Sequence, residues 1–276
     1  MSVVSEPARK FSSRSMFILG LIAAAGAVQG CTSTDLQTSS YIPNGSLPDM
    51  RLNTSRSAEV YRGTSDYASF KARDRAYALR AQPEQFKYSE IYAAAVDDGI
   101  AIPAFNYSKM SKRFLRQQVR FFGPERPGTI VVDARNRYLY LVQPNGMAMR
   151  YGIAVGKEGF GWTGSAVLQW KQKWPTWTPP AEMIARKPEL AKYAEGLKGS
   201  TKNPLGARAM YLFKDGKDTL YRIHGTDKPH TIGLAASSGC FRMINQDVID
   251  LYSRVTNKSS VLVRQQVLAS DFENGR

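Results

Sequence analysis

One stretch of the sequence, Tyr221–Met243, contains Cys240 and both histidines of the chain, His224 and His230. A thiol becomes a nucleophile when a nearby base removes its proton and when hydrogen-bond donors stabilise the oxyanion formed by its attack. His224 follows the apolar run TLYRI and precedes Gly225, so its ring is expected where a strand leaves the core, whereas His230 lies in a polar loop. We therefore predict that Cys240 is a nucleophile and that His224 is its base.

The turn before the thiol, SSGC, contains Ser238 and Gly239. An irregular turn of small residues can direct backbone N–H groups at the group that Cys240 attacks. Three alternative roles fit these residues less well. A closed zinc site requires four ligands at shorter spacings, a serine triad requires a G-x-S-x-G elbow, and a cysteine can also pack as a small apolar residue. No metal or other cofactor is predicted.

Two arginines flank the predicted pair in sequence. Because side chains alternate along a strand, Arg222 is expected on the face that carries His224. Arg242 follows the thiol by two residues, and its planar fork is suited to a ligand carboxylate. The alternative for Arg242 is a structural ion pair with Asp247 or Asp250. Both arginines are therefore candidates for contacts with a substrate.

The elements that must position these residues are mainly β-strands. Residues 128–156 alternate β-branched and aromatic residues between the turn sequences ARNR and PNG, which predicts a three-stranded meander. Further strands are predicted at AVLQWKQ, ARAMYLF, TLYRIHG and SVLVRQQV, and helices at PAEMIARKPELAKYA and NQDVIDLYSRV, the latter with Asn245 as N-cap. The four tryptophans lie between Trp162 and Trp177. They are interpreted either as anchors of the core and loops or as a wall that lines a binding site.

The N-terminal residues predict export. Basic residues precede an apolar run at 16–28, which is shorter than the roughly 20 residues that cross a bilayer, so residues 1–31 are predicted to be a signal peptide. Gly30 before Cys31 resembles a lipobox, in which Cys31 would be lipidated, although Gln29 fits that pattern poorly. Cleavage nearby or an uncleaved anchor are the alternatives. The remaining predicted segments are a flexible tether at 32–88, a helical lead-in at 89–126 that begins with a helix at 89–99, a main domain at 127–267 and a tail at 268–276.

The chain is strongly basic, with a formal net charge of +15. In the cytoplasm such a charge would favour nucleic acid as a partner. Behind an export signal, the available partners are anionic lipids, lipopolysaccharide or cell-wall polymers, and a well-solvated surface explains the charge equally well. No nucleic-acid partner is predicted.

Several motifs, in order, resemble those of the L,D-transpeptidases, bacterial enzymes that remodel peptidoglycan with a catalytic cysteine. They are GTIVVD, WPTWTPPAEM, NPLGARAMYL, HGT, TIG and SSGCFRM, and the resemblance covers roughly residues 127–267. One position departs from the family, which often has Ser-His-Gly-Cys where this chain has Ser238 before Gly239. A second histidine at that place is therefore not needed for chemistry in this chain if the chain is active.

The resemblance implies a mainly β fold, a β-sandwich or mixed-sheet catalytic domain with a few short helices. It implies that Cys240 attacks the bond between meso-diaminopimelate and the terminal D-Ala of a wall tetrapeptide. His224 would act as general base and then general acid, with a backbone carbonyl to orient its ring. The resemblance further implies that the N–H groups of Gly239 and Cys240 are candidates for the oxyanion hole, in the turn that contains Ser238 and Gly239. The residues predicted to bind substrate are Arg222, Gly225, Arg242 and Trp177.

The resemblance leaves the acyl acceptor open. If the acceptor is an amine of a second stem peptide, the product is a 3→3 crosslink. If it is an amine of a protein, such as an outer-membrane protein, that protein becomes attached to the wall. If it is water, the enzyme is an L,D-carboxypeptidase. A non-catalytic wall-binding lipoprotein with the same fold is the alternative from another class. The predicted location is the periplasm of a Gram-negative bacterium, with a lipid anchor in a membrane.

Overall fold

The computed structural model describes residues 72–73, 75–80, 82–156, 162–237, 239–268 and 271–272, with the backbone alone at 236 and 237. Within these ranges the strands are β1 (Ala95–Asp97), β2 (Ile100–Ile102), β3 (Gln117–Arg120), β4 (Ile130–Asp133), β5 (Tyr138–Gln143), β6 (Met147–Gly152), β7 (Val155–Gly156), β8 (Gly164–Lys173), β9 (Arg208–Lys214), β10 (Lys217–His224), β11 (Ala235–Ser237), β12 (Phe241–Arg242) and β13 (Ser260–Arg264). The named helices are α1 (Tyr88–Ile91), α2 (Ala181–Arg186) and α3 (Asn245–Arg254). Residues 75–80 are also helical, and 3₁₀ turns occupy Tyr107–Lys109, Lys112–Phe114, Pro188–Tyr193 and Pro229–Thr231.

One mixed sheet dominates the described part of the chain. Its strand order is β12-β10-β9-β8-β13-β4-β5-β6-β3, and two pairs in it, β10 with β12 and β13 with β4, are parallel. Two smaller sheets pair β1 with β2 and β7 with β11. The predicted fold class, mainly β with a mixed sheet and a few short helices, is confirmed.

The predicted meander is confirmed as β4, β5 and β6, which pair in sequence. The turn between β5 and β6 contains Asn145 and Gly146 with φ of 61° and 65°. Asn and Gly adopt positive φ at a lower cost than other residues, so this three-residue turn suits the sequence PNG. The PNG motif therefore fixes the register of this hairpin.

Helix α3 packs on one face of the sheet and closes the core. Val248 and Leu251 lie fully buried in a cluster that also contains Met210, Ile223 and Phe241 from three adjacent strands. Asn245, predicted as the N-cap of this helix, is instead its first helical residue. The prediction of the cap is wrong because the Asn245 side chain is used elsewhere, in contacts described below.

The prediction of a helical lead-in is wrong for most of residues 89–126. The helix ends at Ile91, and β1 and β2 follow as a hairpin. The reason lies in Asp98 and Gly99, which both have positive φ, 49° and 79°, and form the hairpin turn. An Asp-Gly pair is a turn signal that outweighs the helix propensity of the alanines before it.

The lead-in is packed against the main sheet. Strand β3 pairs with β6, and Phe114 and Leu115 are buried. Arg116 forms ion pairs with Asp247 and Asp250 of α3 at 3.1 and 2.7 Å. The lead-in is therefore a structural part of the folded unit.

Across the ranges that the structure describes, no helix combines the length and apolar character that crossing a membrane requires. The predicted signal peptide, the lipidation site at Cys31 and most of the predicted tether lie outside the described residues. The described end of the tether is residues 72–73, 75–80 and 82–88, and there the prediction of a flexible segment is wrong, because residues 75–80 are helical and Ala78 is fully buried.

Candidate active site

Strands β10 and β12 bring the two halves of the predicted pair to one face of the sheet. They are parallel, with Ile223 opposite Phe241 and His224 opposite Arg242. Ile223 and Phe241 are fully buried in the core. Because side chains alternate, His224 and Arg242 point to the opposite face, and the same alternation places Arg222 and Cys240 there. The same register places Cys240 beside Arg222, which lies two residues before His224 on β10.

The His224 ring is buried and held by backbone carbonyls. Its Nδ1 lies 2.6 Å from the carbonyl oxygen of Gly225, and the backbone of Pro204 also acts to stabilise the protonated ring. Because a carbonyl can only accept, we assign the proton of the neutral ring to Nδ1, which leaves the lone pair on Nε2. The structure thus supplies the orienting carbonyl that was expected from the sequence.

Burial lowers the pKa of His224 to about 4, and the positive charge of Arg242 adds to this effect. The two carbonyls oppose the shift because they stabilise the protonated ring. At neutral pH the ring is therefore uncharged and able to accept a proton.

The sulfur of Cys240 lies against the backbone of β10. Sγ is 3.7 Å from the carbonyl oxygen of Leu220, and the backbone N–H of Arg222 donates to it. Burial raises the pKa of the Cys240 thiol, whereas that N–H and the charges of Arg222 and Arg242 act to lower it. The thiol form is thus favoured before substrate binds, with two cations close enough to stabilise a negative charge.

A β-bulge in β10 creates this contact, and no sequence motif had indicated it. The pairing of β10 with β9 shifts register between Asp218 and Arg222, and Leu220 in the bulge has φ of 63°. Asp218 Oδ1 accepts the N–H of Leu220 at 2.9 Å, and Thr219 Oγ1 accepts the N–H of Tyr221 at 3.2 Å. These short-range bonds hold the bulge and direct the Leu220 carbonyl to the sulfur.

The two arginines have different surroundings. Arg222 forms a bidentate pair with Asp218, with both N···O distances 2.7 Å. Arg242 is half-buried, and the charged groups that act on it are Asp227 and Cys240. The alternative that Arg242 pairs with Asp247 or Asp250 is wrong, because those carboxylates bind other arginines of the lead-in and of α3.

The turn before Cys240 requires glycine at Gly239. Its φ is 124°, a conformation that other residues rarely adopt, although a Cβ there would meet only Tyr221 Cε1, at 3.7 Å. The Tyr221 ring is stacked between Trp162 and Phe241, with centroids 4.8 and 6.1 Å away. The Tyr221 ring of this stack is the neighbour of Gly239 in the turn. Ser238 lies outside the described residues.

Gly225, predicted to bind substrate, is buried in the wall behind His224. A Cβ on Gly225 would lie 2.3 Å from Asn245 Oδ1, so only glycine allows that approach. Asn245 accepts the N–H of Ala207 at 3.0 Å and donates to the carbonyl of Thr226 at 3.1 Å. Asn245 therefore joins the two segments that carry the carbonyls around His224, a positioning contact that the sequence pattern did not indicate.

Trp177 lies in the loop between β8 and β9, where its backbone pairs with Leu197 at 2.9 and 2.8 Å. Buried Asn203 organises this loop through side-chain bonds to three backbone carbonyls, of Pro175, Leu197 and Lys198. The contacts described for Trp177, including the ring of Tyr193 at 6.2 Å, are within the loop. Trp177 thus anchors the loop whose end presents Pro204 to His224.

A cavity of about 400 Å³ opens beside the site, between the lead-in and the loop after β10. Its lining includes Phe105 and Met110 on one side and Thr226, Asp227 and His230 on the other. Across the described parts of the chain, no three histidine, cysteine, aspartate or glutamate side chains are grouped in a way that could hold a metal ion.

Comparisons with known proteins single out the same part of the chain. Residues 127–263 match the family model described as the YkuD L,D-transpeptidase catalytic domain. YbiS of Escherichia coli (strain K12) is 32% identical over 136 residues, 46% of this chain and 41% of that protein. YqjB of Bacillus subtilis (strain 168) is 31% identical over 140 residues, 49% of this chain and 69% of that protein. The names of both relatives class them as L,D-transpeptidases.

A solved structure from Brucella melitensis is described as a probable carnitine operon oxidoreductase, and its sequence is 53% identical to this chain. The match covers 55% of this chain and 94% of that chain, with a TM-score of 0.40. The match to YbiS spans less than half of that relative's length, and the match to a third relative, ErfK/SrfK of Escherichia coli (strain K12), spans half of it.

Proposed function

This chain belongs to the L,D-transpeptidase family, and from that premise we propose that it is a peptidoglycan L,D-transpeptidase with Cys240 as nucleophile. One observation carries the proposal. The register of β10 and β12 sets Cys240 and His224 on one face, and the buried imidazole is neutral at pH 7, with Nδ1 held by the carbonyl of Gly225. A nucleophile and an oriented base are the minimum that thiol acyl transfer requires.

In the first half-reaction, the Cys240 sulfur attacks the carbonyl that links meso-diaminopimelate to D-Ala, and its proton passes to His224 Nε2. The backbone N–H groups of Gly239 and Cys240 hold the oxyanion. When the tetrahedral intermediate collapses, the C–N bond breaks and the imidazolium returns the proton to the D-Ala nitrogen. The products are free D-Ala and a thioester on Cys240.

The low pKa of His224 favours the second of these proton transfers. An imidazolium whose pKa is about 4 is a strong acid, so it gives its proton readily to the leaving amine. For the same reason the neutral imidazole is a weak base toward the Cys240 thiol, whose pKa is raised by burial. We therefore expect proton removal to accompany sulfur attack, with the charges of Arg222 and Arg242 stabilising the negative charge as it develops.

In the second half-reaction an amine attacks the thioester, the C–S bond breaks and the thiol is regenerated. An amine of a second stem peptide gives a 3→3 crosslink, and an amine of a protein attaches that protein to the wall. The enzyme would work in the periplasm of a Gram-negative bacterium, held there by lipid on Cys31. Its strong positive charge, +15 over the whole chain, suits a polyanionic wall and membrane surface.

The test is incubation of the purified protein with a disaccharide-tetrapeptide, with products identified by mass spectrometry. A crosslinked dimer together with free D-Ala is expected. Release of D-Ala with tripeptide alone would assign the water-accepting carboxypeptidase reaction, and the absence of any product from folded protein would favour the wall-binding alternative.

A further inference from the structure

Four side chains lie in one row across the face of the sheet that carries the nucleophile. Trp170 of β8 pairs with Tyr211 of β9, and Tyr211 pairs with Arg222 of β10. The register of β10 with β12 then sets Cys240 beside Arg222. The row is therefore Trp170, Tyr211, Arg222 and Cys240, one residue from each successive chain segment.

The two aromatic rings of this row form a rigid stack. The centroids of Trp170 and Tyr211 are 3.6 Å apart and the ring planes differ by 6°. The Arg222 guanidinium lies 4.6 Å from the Tyr211 centroid and is fixed by its bidentate pair with Asp218. Since Tyr211 lies between Arg222 and Trp170 in the row, the Trp170 ring turns its second face away from the stack.

That second face of Trp170 is open to solvent. Trp170 is 40% exposed, an unusual state for so large an apolar side chain. Helix α3 covers the other side of these strands, where the neighbouring Lys171 donates to the carbonyls of Tyr252 and Val255. Core packing therefore does not explain Trp170, whose ring would lose little conformational freedom on binding a ligand because Tyr211 already holds it.

We propose that the exposed face of Trp170 binds a sugar ring of the glycan strand to which the donor stem peptide is attached. This inference rests on the proposed function. A pyranose has an apolar face of C–H groups that packs flat on an indole and a rim of polar groups that remains hydrated. Gln172, which follows Trp170 by two residues on the same strand, offers an amide to that rim.

The spacing of the row fits the length of the peptide. Three strand spacings separate Trp170 from Cys240, roughly 14 Å. The scissile carbonyl belongs to the third residue of the stem, and three extended residues span roughly 10 Å, to which the link between sugar and peptide adds. A donor with its carbonyl at Cys240 can therefore reach Trp170 with its sugar, whereas a peptide without sugar ends before it.

The first experiment measures KM for two donors, a disaccharide-tetrapeptide and the free tetrapeptide. It uses the full chain as wild type and as the variants Trp170→Ala, Trp170→Phe and Val96→Ala. Val96 is an exposed apolar residue of the β1–β2 hairpin and serves as the matched control. We expect Trp170→Ala to raise KM for the disaccharide donor about five- to tenfold and to leave KM for the free tetrapeptide within about twofold. Trp170→Phe should restore most of the loss, and Val96→Ala should change neither value.

The rate at which a carbapenem acylates Cys240 is measured in the same variants, because it reports whether the thiol is intact. That rate should be the same in all of them. Equal effects of Trp170→Ala on both donors, or none on either, would overturn the inference. A wild-type protein that turns over neither donor would contradict the proposed function instead.

A second measurement needs no turnover. Binding of the disaccharide alone is followed by saturation-transfer NMR on Cys240→Ala and on the double variant with Trp170→Ala. Saturation of the sugar C–H protons is expected in the first protein and loss of most of it in the second. Equal transfer in both, or no transfer in either, would refute a sugar site at Trp170.

Discussion

At Gly239 the backbone conformation and the proposed chemistry depend on the same residue. Its φ of 124° is strained for any side chain, while the surrounding space would accept a methyl group. Gly239→Ala should therefore cost about 1–3 kcal/mol or rotate the turn to relieve the strain. In either case the N–H groups that we propose hold the oxyanion lose alignment, so we expect kcat to fall by about a hundredfold, with KM little changed.

The matched control is Gly99→Ala, because Gly99 also has positive φ and open space but lies in the β1–β2 turn. That variant should lose stability and keep the kcat of the wild type. Steady-state kinetics with stability by denaturant unfolding would separate the two effects. Equal kcat in wild type and Gly239→Ala would remove Gly239 from the oxyanion turn.

At the residue scale, the sequence identified the groups whose chemistry depends on their type. Cys240, His224 and Gly239 could be named because a thiol, an imidazole and a positive-φ glycine have few substitutes. The carbonyls of Leu220 and Pro204 could not, because every residue has a carbonyl and its direction is set by a bulge or a loop. Arg222 was placed on the correct face by alternation alone.

Among the elements, the lead-in is joined to helix α3 through the ion pairs of Arg116. Its side chain is 8% exposed, and its partner Asp247 is fully buried. Removing one member of a buried ion pair leaves the other charge without compensation, so Arg116→Ala should lower the free energy of unfolding by about 3–5 kcal/mol.

Lys87→Ala is the control for that measurement, because it breaks the exposed pair between Lys87 and Glu90. A change of at most about 1 kcal/mol is expected there. Both values come from denaturant unfolding at neutral pH. Similar small losses in the two variants would show that the lead-in is only loosely attached.

The strands of the main domain were predictable because their periodicity is regular and their turns contain Gly, Asn or Pro. The error in the lead-in has a local cause. Alanines at 93–95 favour a helix, but Asp98 and Gly99 adopt the positive φ of a hairpin turn and β1 pairs with β2. The short parallel pairs, β10 with β12 and β7 with β11, could not be derived from sequence because they join segments that are distant along the chain or linked by irregular loops.

For the whole molecule, two buried groups shift the pH dependence of stability in opposite directions. The pKa of His224 falls from 6.5 to about 4, so the unfolded chain binds a proton that the folded chain does not. Stability from this source is lost as pH falls from about 6.5 to 4, by roughly 3 kcal/mol. Burial raises the pKa of Asp247 from 3.8 to about 6, and stability from this source is gained as pH falls through 6.

Two variants resolve these opposed contributions. Between pH 7 and 4.5, His224→Gln should lose less stability than the wild type and Asp247→Asn should lose more. Denaturant unfolding of the three proteins at both pH values is the measurement. The same pH dependence in all three would contradict the burial of these groups.

The central claim is that Cys240 forms the acyl-enzyme, and intact-mass analysis tests it most directly. The protein is incubated with a carbapenem, whose strained ring is opened by a nucleophile without a leaving group, in the wild type, Cys240→Ala and His224→Gln. We expect the wild type to gain the full mass of the drug, His224→Gln to acylate at least tenfold more slowly, and Cys240→Ala to gain nothing. An adduct that persists in folded Cys240→Ala, or a folded wild type that forms none, would contradict the claim.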